Sequence, residues 1–161
     1  MPITNSQEKF AHELADIYDA EHQFLEALRT MKAKASDPKL KSMLEEHADQ
    51  TQQQISRLKL VFSETGTEPQ RQTCSGAKGL VEEATKMMEE TMSPELRDTV
   101  IAGAATKAEH YEMVSYKDLI EGASQLKLRR AAKLLTENRD EEVRTARRLE
   151  RVAPRLDKAA A

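Results

Sequence analysis

Four long stretches of this chain carry apolar residues at heptad spacing, and each apolar run is broken by polar residues near its middle. The first reads Phe10, Leu14, Ile17, Glu21, Phe24, Leu28, Met31. The second reads Leu40, Leu44, His47, Thr51, Gln54, Leu58, Val61. The third reads Ile101, Ala105, Ala108, Glu112, Ser115, Leu119, with Glu109 and Tyr116 a turn to either side of Glu112. The fourth reads Ala131, Leu135, Asn138, Glu142, Thr145, Leu149, Val152. Antiparallel helices of equal length set their midpoints at one level. The pattern therefore predicts a helical bundle with apolar ends and a polar layer across its waist.

Punctuation fixes where the helices stop. Ser36-Asp37-Pro38 and Ser93-Pro94 each offer a capping side chain with proline at a first helical position. The segment 65–79 holds Gly66, Pro69, Gly76 and Gly79 and reads as loop, while 122–127 reads as a short link. The expected long helices are Gln7–Ala35, Pro38–Glu64, Pro94–Glu121 and Leu126–Ala153, with a short helix over Ala77–Met92. Two tight hairpins joined by a long crossover give an all-α, ferritin-like antiparallel four-helix bundle with a short extra helix in the crossover. One such domain takes up all 161 residues, with its core at about 7–153 and a tail at 154–161. Composition agrees, since strong helix formers dominate and Trp is absent.

Converging carboxylates are costly to bury ionised. Either a cation holds them, or they are protonated and hydrogen-bonded. The inward candidates are Glu21, His47, Gln54, Glu109, Glu112 and Glu142, with Gln50 beside them. Carboxylate and amide oxygens with one imidazole suit iron or manganese, as one or two ions. The usual dinuclear bundle uses Glu-x-x-His on two helices. This chain has none, and offers His47-x-x-Gln50 and Thr51-x-x-Gln54 instead. Glu141 reads as a solvated neighbour of Glu142.

Several segments together resemble the YciF/YciE-like stress proteins, a ferritin-like family. They are Asp16-x-Tyr18-x-Ala20-Glu21-x-Gln23, then His47 with Thr51-x-x-Gln54, and Gly79-Leu80-x-Glu82-Glu83-Ala84. Lys107-Ala108-Glu109-His110-Tyr111-Glu112 with Ser115-Tyr116 follows, and then Ala131-Ala132-Lys133-Leu134-Leu135 leading to Asp140-Glu141-Glu142. The likeness covers about residues 4–153, and Glu-His-Tyr-Glu is its most specific part. It implies a ferritin-like bundle, a homodimer, and a di-iron or di-manganese centre connected with stress and peroxide. By matched positions it places Asp16, Gln54, Glu112 and Glu142 at that centre. Asp16 lies off the heptad stripe, so the two readings differ there. The family usually shows an acidic pair where this chain has Asp49-Gln50, and losing that carboxylate weakens a second metal site.

Two functions remain open: a metal-dependent oxidoreductase, catalase- or ferroxidase-like, acting on peroxide or oxygen, and a non-catalytic dimeric helical stress protein with a degenerate site. An iron-storage cage ranks below both. The 25 basic and 28 acidic residues nearly cancel, and the late cluster of Arg and Lys lacks stacking aromatics, so nucleic acid is not expected as a partner. No long apolar run suggests a membrane span, and no leader-like start is visible, so a cytoplasmic setting is the expectation. The lone Cys74 excludes an internal disulfide and reads as a spectator thiol. Tyr18, Tyr111 and Tyr116 are candidates to hydrogen-bond site carboxylates.

Overall fold

A computed structural model describes residues 2–161. The described residues form helices α1 (Ser6–Lys34), α2 (Pro38–Thr65), α3 (Ser75–Glu90), α4 (Pro94–Gln125) and α5 (Arg129–Ala160), with no strand among them. Around the bundle the order is α1, α2, α5, α4, and α3 lies outside against α1 and α4. Each neighbouring pair among these four is antiparallel, while α3 runs parallel to α1 and antiparallel to α4. Phe10, Phe62 and Leu135 share one apolar end, and Met31, Leu40 and Leu156 share the other.

The caps follow the sequence signals. The Asp37 side chain accepts from the Leu40 amide and that of Ser93 from the Leu96 amide, each just before a proline at the helix start. Gly66 closes α2 in the left-handed region at φ 71°, which a residue without Cβ adopts freely. Cys74 caps α3, its thiol accepting from the Ala77 amide. Gly76 lets α3 approach α4 closely, because a Cβ there would sit 2.7 Å from the Tyr111 ring.

Boundaries differ from expectation at α3 and in the last two helices. Helix α3 spans Ser75–Glu90 rather than Ala77–Met92, so 75–79 is helix and not loop. Helix α4 runs on to Gln125, and α5 starts at Arg129 rather than Leu126. Residues 154–160 are helix rather than tail, with Pro154 inside it. Proline removes one intrahelical hydrogen bond. The helix continues because Leu156 is buried in the core and Arg155 grips Asp37 with two hydrogen bonds of 2.7 and 2.8 Å.

The apolar interior is split into two clusters. One gathers Phe10, Leu14 and Ile17 with Leu58, Val61, Leu119 and Leu135. The other gathers Leu28, Met31, Leu40 and Leu44 with Ile101, Leu149 and Val152. Between them lie buried Glu21, His47, Thr51, Gln54, Glu109, Glu112, Asn138, Glu142 and Thr145. This is the polar waist that the interrupted stripes predict.

Candidate metal centre

Each helix of the bundle delivers its mid-length residue to this layer. Glu21 comes from α1, His47 and Gln54 from α2, Glu109 and Glu112 from α4, and Glu142 from α5. His47, Glu109, Glu112 and Glu142 each offer one ligand atom within 4.8 Å of all the others. His47 Nε2 lies 2.6 Å from Glu109 Oε1 and 3.8 Å from Glu142 Oε2. Glu21 and Gln54 flank this group. The Tyr116 hydroxyl donates to Glu21 Oε1. Asn138 Nδ2 donates to the Tyr116 hydroxyl at 3.0 Å and to the Gln54 carbonyl at 3.3 Å.

The electrostatics are those of crowded, buried acids. Burial pushes the Glu21 carboxyl up to about 8, and the charge of Glu142 adds to it. Burial pushes Glu109 up to about 7, opposed by the adjacent Glu142 carboxyl. Burial, then neighbouring carboxylates, raises Glu112 and Glu142 well above the usual carboxylate range. The Tyr116 phenol is raised by burial and by the facing Glu21 charge.

A cation fits this layer. Glu21 Oε2, Gln54 Oε1, Glu109 Oε2, Glu112 Oε2 and both Glu142 carboxylate oxygens are buried without a hydrogen-bond partner. Buried polar atoms rarely stay unpaired, and here they converge on one place. The donor set is carboxylate oxygen with one imidazole nitrogen, which matches iron or manganese. Four carboxylates, fully ionised, balance the charge of two divalent ions.

Asp16 does not join the layer. It faces the Cys74 thiol and the Tyr111 hydroxyl and helps to raise both. The heptad stripe was the better guide at this position, because Asp16 sits on the flank of α1 that receives α3. Glu141 is not solvated as expected. It accepts two hydrogen bonds from Arg57, at 2.9 and 3.0 Å, and one from Gln54 Nε2 at 3.0 Å. Gln50 stands beside the cluster rather than in it, accepting from the Thr145 hydroxyl at 3.4 Å. Of the three tyrosines, Tyr116 reaches a site carboxylate, Tyr111 bonds Cys74 at 3.1 Å, and Tyr18 packs edge-on against His22 and Phe62. Asn138 was visible as a stripe interruption, but its link to Tyr116 has no local sequence signal.

The profile of the family described as a domain of unknown function (DUF892) matches residues 5–161. The chain belongs to this family. It is 39% identical to protein YciF of Escherichia coli K12 over 146 residues, 90% of this chain and 88% of that one. The crystal structure of the E. coli stress protein YciF superposes with a TM-score of 0.92 at 36% identity, covering 97% of this chain and 99% of the other. YcfI of Rhodopseudomonas palustris, for which a structural role has been suggested, matches with a TM-score of 0.90 at 34% identity. The two coverages there are 92% and 94%. The YciF-like resemblance read from the residues is thus borne out, and so is the all-helical bundle. None of the described helices is long and apolar enough to cross a membrane.

Proposed function

We propose that this protein is a YciF-like stress protein whose waist holds a dinuclear iron or manganese centre serving peroxide or oxygen chemistry. The observation that carries this is the convergence of unpartnered carboxylate oxygens with one imidazole in a buried layer. His47, Glu109, Glu112 and Glu142 would hold the metal, with Glu21 and Gln54 completing the set. Bound iron or manganese supplies one-electron redox change together with coordination positions open to a small oxygen species. The chain's own residues set the conditions for that chemistry. The apolar clusters on both sides keep bulk water out of the layer. Tyr116 fixes the orientation of Glu21, and Asn138 fixes Tyr116. Arg57 and Glu141 clamp the outer edge, holding Gln54 by its amide nitrogen so that its oxygen faces inward.

The test is the double substitution Glu112→Gln with Glu142→Gln. It removes two charges while keeping the shape of both side chains. Metal uptake should be lost and the helical circular dichroism retained. A double variant that takes up as much iron or manganese as the parent would overturn the assignment.

The structural role suggested for YcfI favours a second reading, a non-catalytic helical protein whose acids are simply protonated. That reading predicts no change in melting temperature on adding manganese or iron(II). The homodimer belongs to both readings. Met87, Leu96 and Val114, exposed at 44%, 47% and 63%, supply apolar surface for it on α3 and α4. A light-scattering mass of one chain would remove it.

A further inference from the structure

The seam between α2 and α5 runs over the carboxylate layer, and its contacts are uneven. On one side Arg148 pairs with Glu46 at 2.8 Å. On the other, Gln54 and Arg57 hold Glu141 at 2.9 to 3.0 Å. Between them Thr145 and Gln50 meet across the seam at 3.4 Å, near the outer limit for such a bond. Directly beneath lies a cavity of about 10 Å³, whose lining includes His47, Gln50, Thr145 and Arg148 with the apolar Leu44 and Leu149. That is just enough room to admit one water molecule.

The cavity has a polar group waiting for a partner. His47 is only 5% exposed. Its Nε2 faces Glu109 and Glu142, while its Nδ1 is buried without a hydrogen-bond partner. A metal-ligating imidazole ordinarily gives its second N–H to an acceptor. Among the described residues no protein atom accepts it, and the cavity lies against the same ring. Thr145, Gln50 and Arg148 are the other polar residues of the lining, and the Thr145 hydroxyl donates to the Gln50 oxygen at its mouth.

We propose that this cavity is an antechamber to the centre. It holds one water molecule against the His47 ring, and Thr145 with Gln50 forms its door. Thr145 is then the residue that sets the size of what enters. The proposal rests on the metal reading above, because an entrance needs a centre to serve.

Solvent water is the probe. Manganese(II) is added to the purified full chain, and bound metal is counted from the loss of the free-ion electron paramagnetic resonance signal. Relaxation of solvent water protons in the same sample reports whether water reaches the bound ion. The parent should bind manganese and enhance water relaxation. Thr145→Ile, which replaces the hydroxyl by an ethyl group pointing into the cavity, should bind as much manganese and lose the enhancement. Gln50→Leu, at a less buried position, carries the same expectation if the Ile variant does not fold. Variants that bind manganese and relax water as the parent does would overturn the antechamber. A parent that binds manganese but does not relax water overturns it too, and leaves the metal reading intact. A parent that binds no manganese overturns both.

Discussion

Raising the pH should destabilise the metal-free protein. Glu21 ionises near 8 and Glu109 near 7 in the folded chain, against an ordinary 4.5. Below about 4.5 both folded and unfolded forms carry these protons. As pH rises the unfolded chain releases them first, and the folded state loses stability until its own groups ionise. Moving one carboxyl from 4.5 to about 8 is worth ~5 kcal/mol, and to about 7 is worth ~3 kcal/mol. The two share an electrostatic field, so they do not simply add. Glu112 and Glu142 shift in the same direction. Asp37, held at about 2 by Arg155, has delivered its stabilisation before this window opens. His22, lowered by burial, acts in the opposite sense, regaining stability as pH rises to its ordinary 6.5 and adding nothing above it. It is only partly buried, so the acids dominate.

Against a total stability of order 5–15 kcal/mol, the loss is large. Urea midpoints followed by circular dichroism should fall steadily between about pH 5 and about pH 9. Glu21→Gln, which keeps the shape without the charge, should flatten the curve. Saturating manganese should oppose the fall, because ligands bind metal only once deprotonated. At a hundredfold excess over the dissociation constant it adds ~2.7 kcal/mol. A metal-free midpoint that is flat or rises over this range would refute the reasoning.

Three further outcomes follow from single contacts. Tyr116→Phe leaves Glu21 Oε1 and Asn138 Nδ2 short of a partner in a fully buried setting, and should cost ~1–3 kcal/mol in urea unfolding. Asp98→Ala strips the acceptor from the backbone amides of Ser36 and Asp37, bonded at 2.7 and 2.9 Å; a loss of ~2 kcal/mol is expected by the same measurement. Gly76→Ala forces Tyr111 to move, since the new methyl would lie 2.7 Å from its ring. It should lower the melting temperature by an amount equivalent to ~1–3 kcal/mol.

The bundle was legible because its signals are local. Pro38 and Pro94 mark helix starts by chemistry confined to one turn. The polar waist was legible because Glu21, His47, Glu112 and Glu142 interrupt their stripes at matching depths, a regularity that requires only helical geometry. What stayed hidden depends on residues far apart in the chain. Asp98 caps the α1–α2 turn from some sixty positions away, and nothing around it in sequence says so. Glu141 sits next to a core position on a charged face, and only the guanidinium of Arg57 distinguishes it from a solvated acid. Pro154 looked like an end because proline usually is one. Leu156, two residues on, packs into the core and keeps the helix going. Asp16 shows the limit of matched positions: its family setting suggested the centre, and its helical phase placed it against α3.

On this reading the waist holds metal. The most direct measurement is elemental analysis of protein purified from cells grown with both iron and manganese, expressed per chain. About two redox metals per chain are expected from four carboxylates and an imidazole. No iron or manganese, even after anaerobic reconstitution with either ion, would contradict the account.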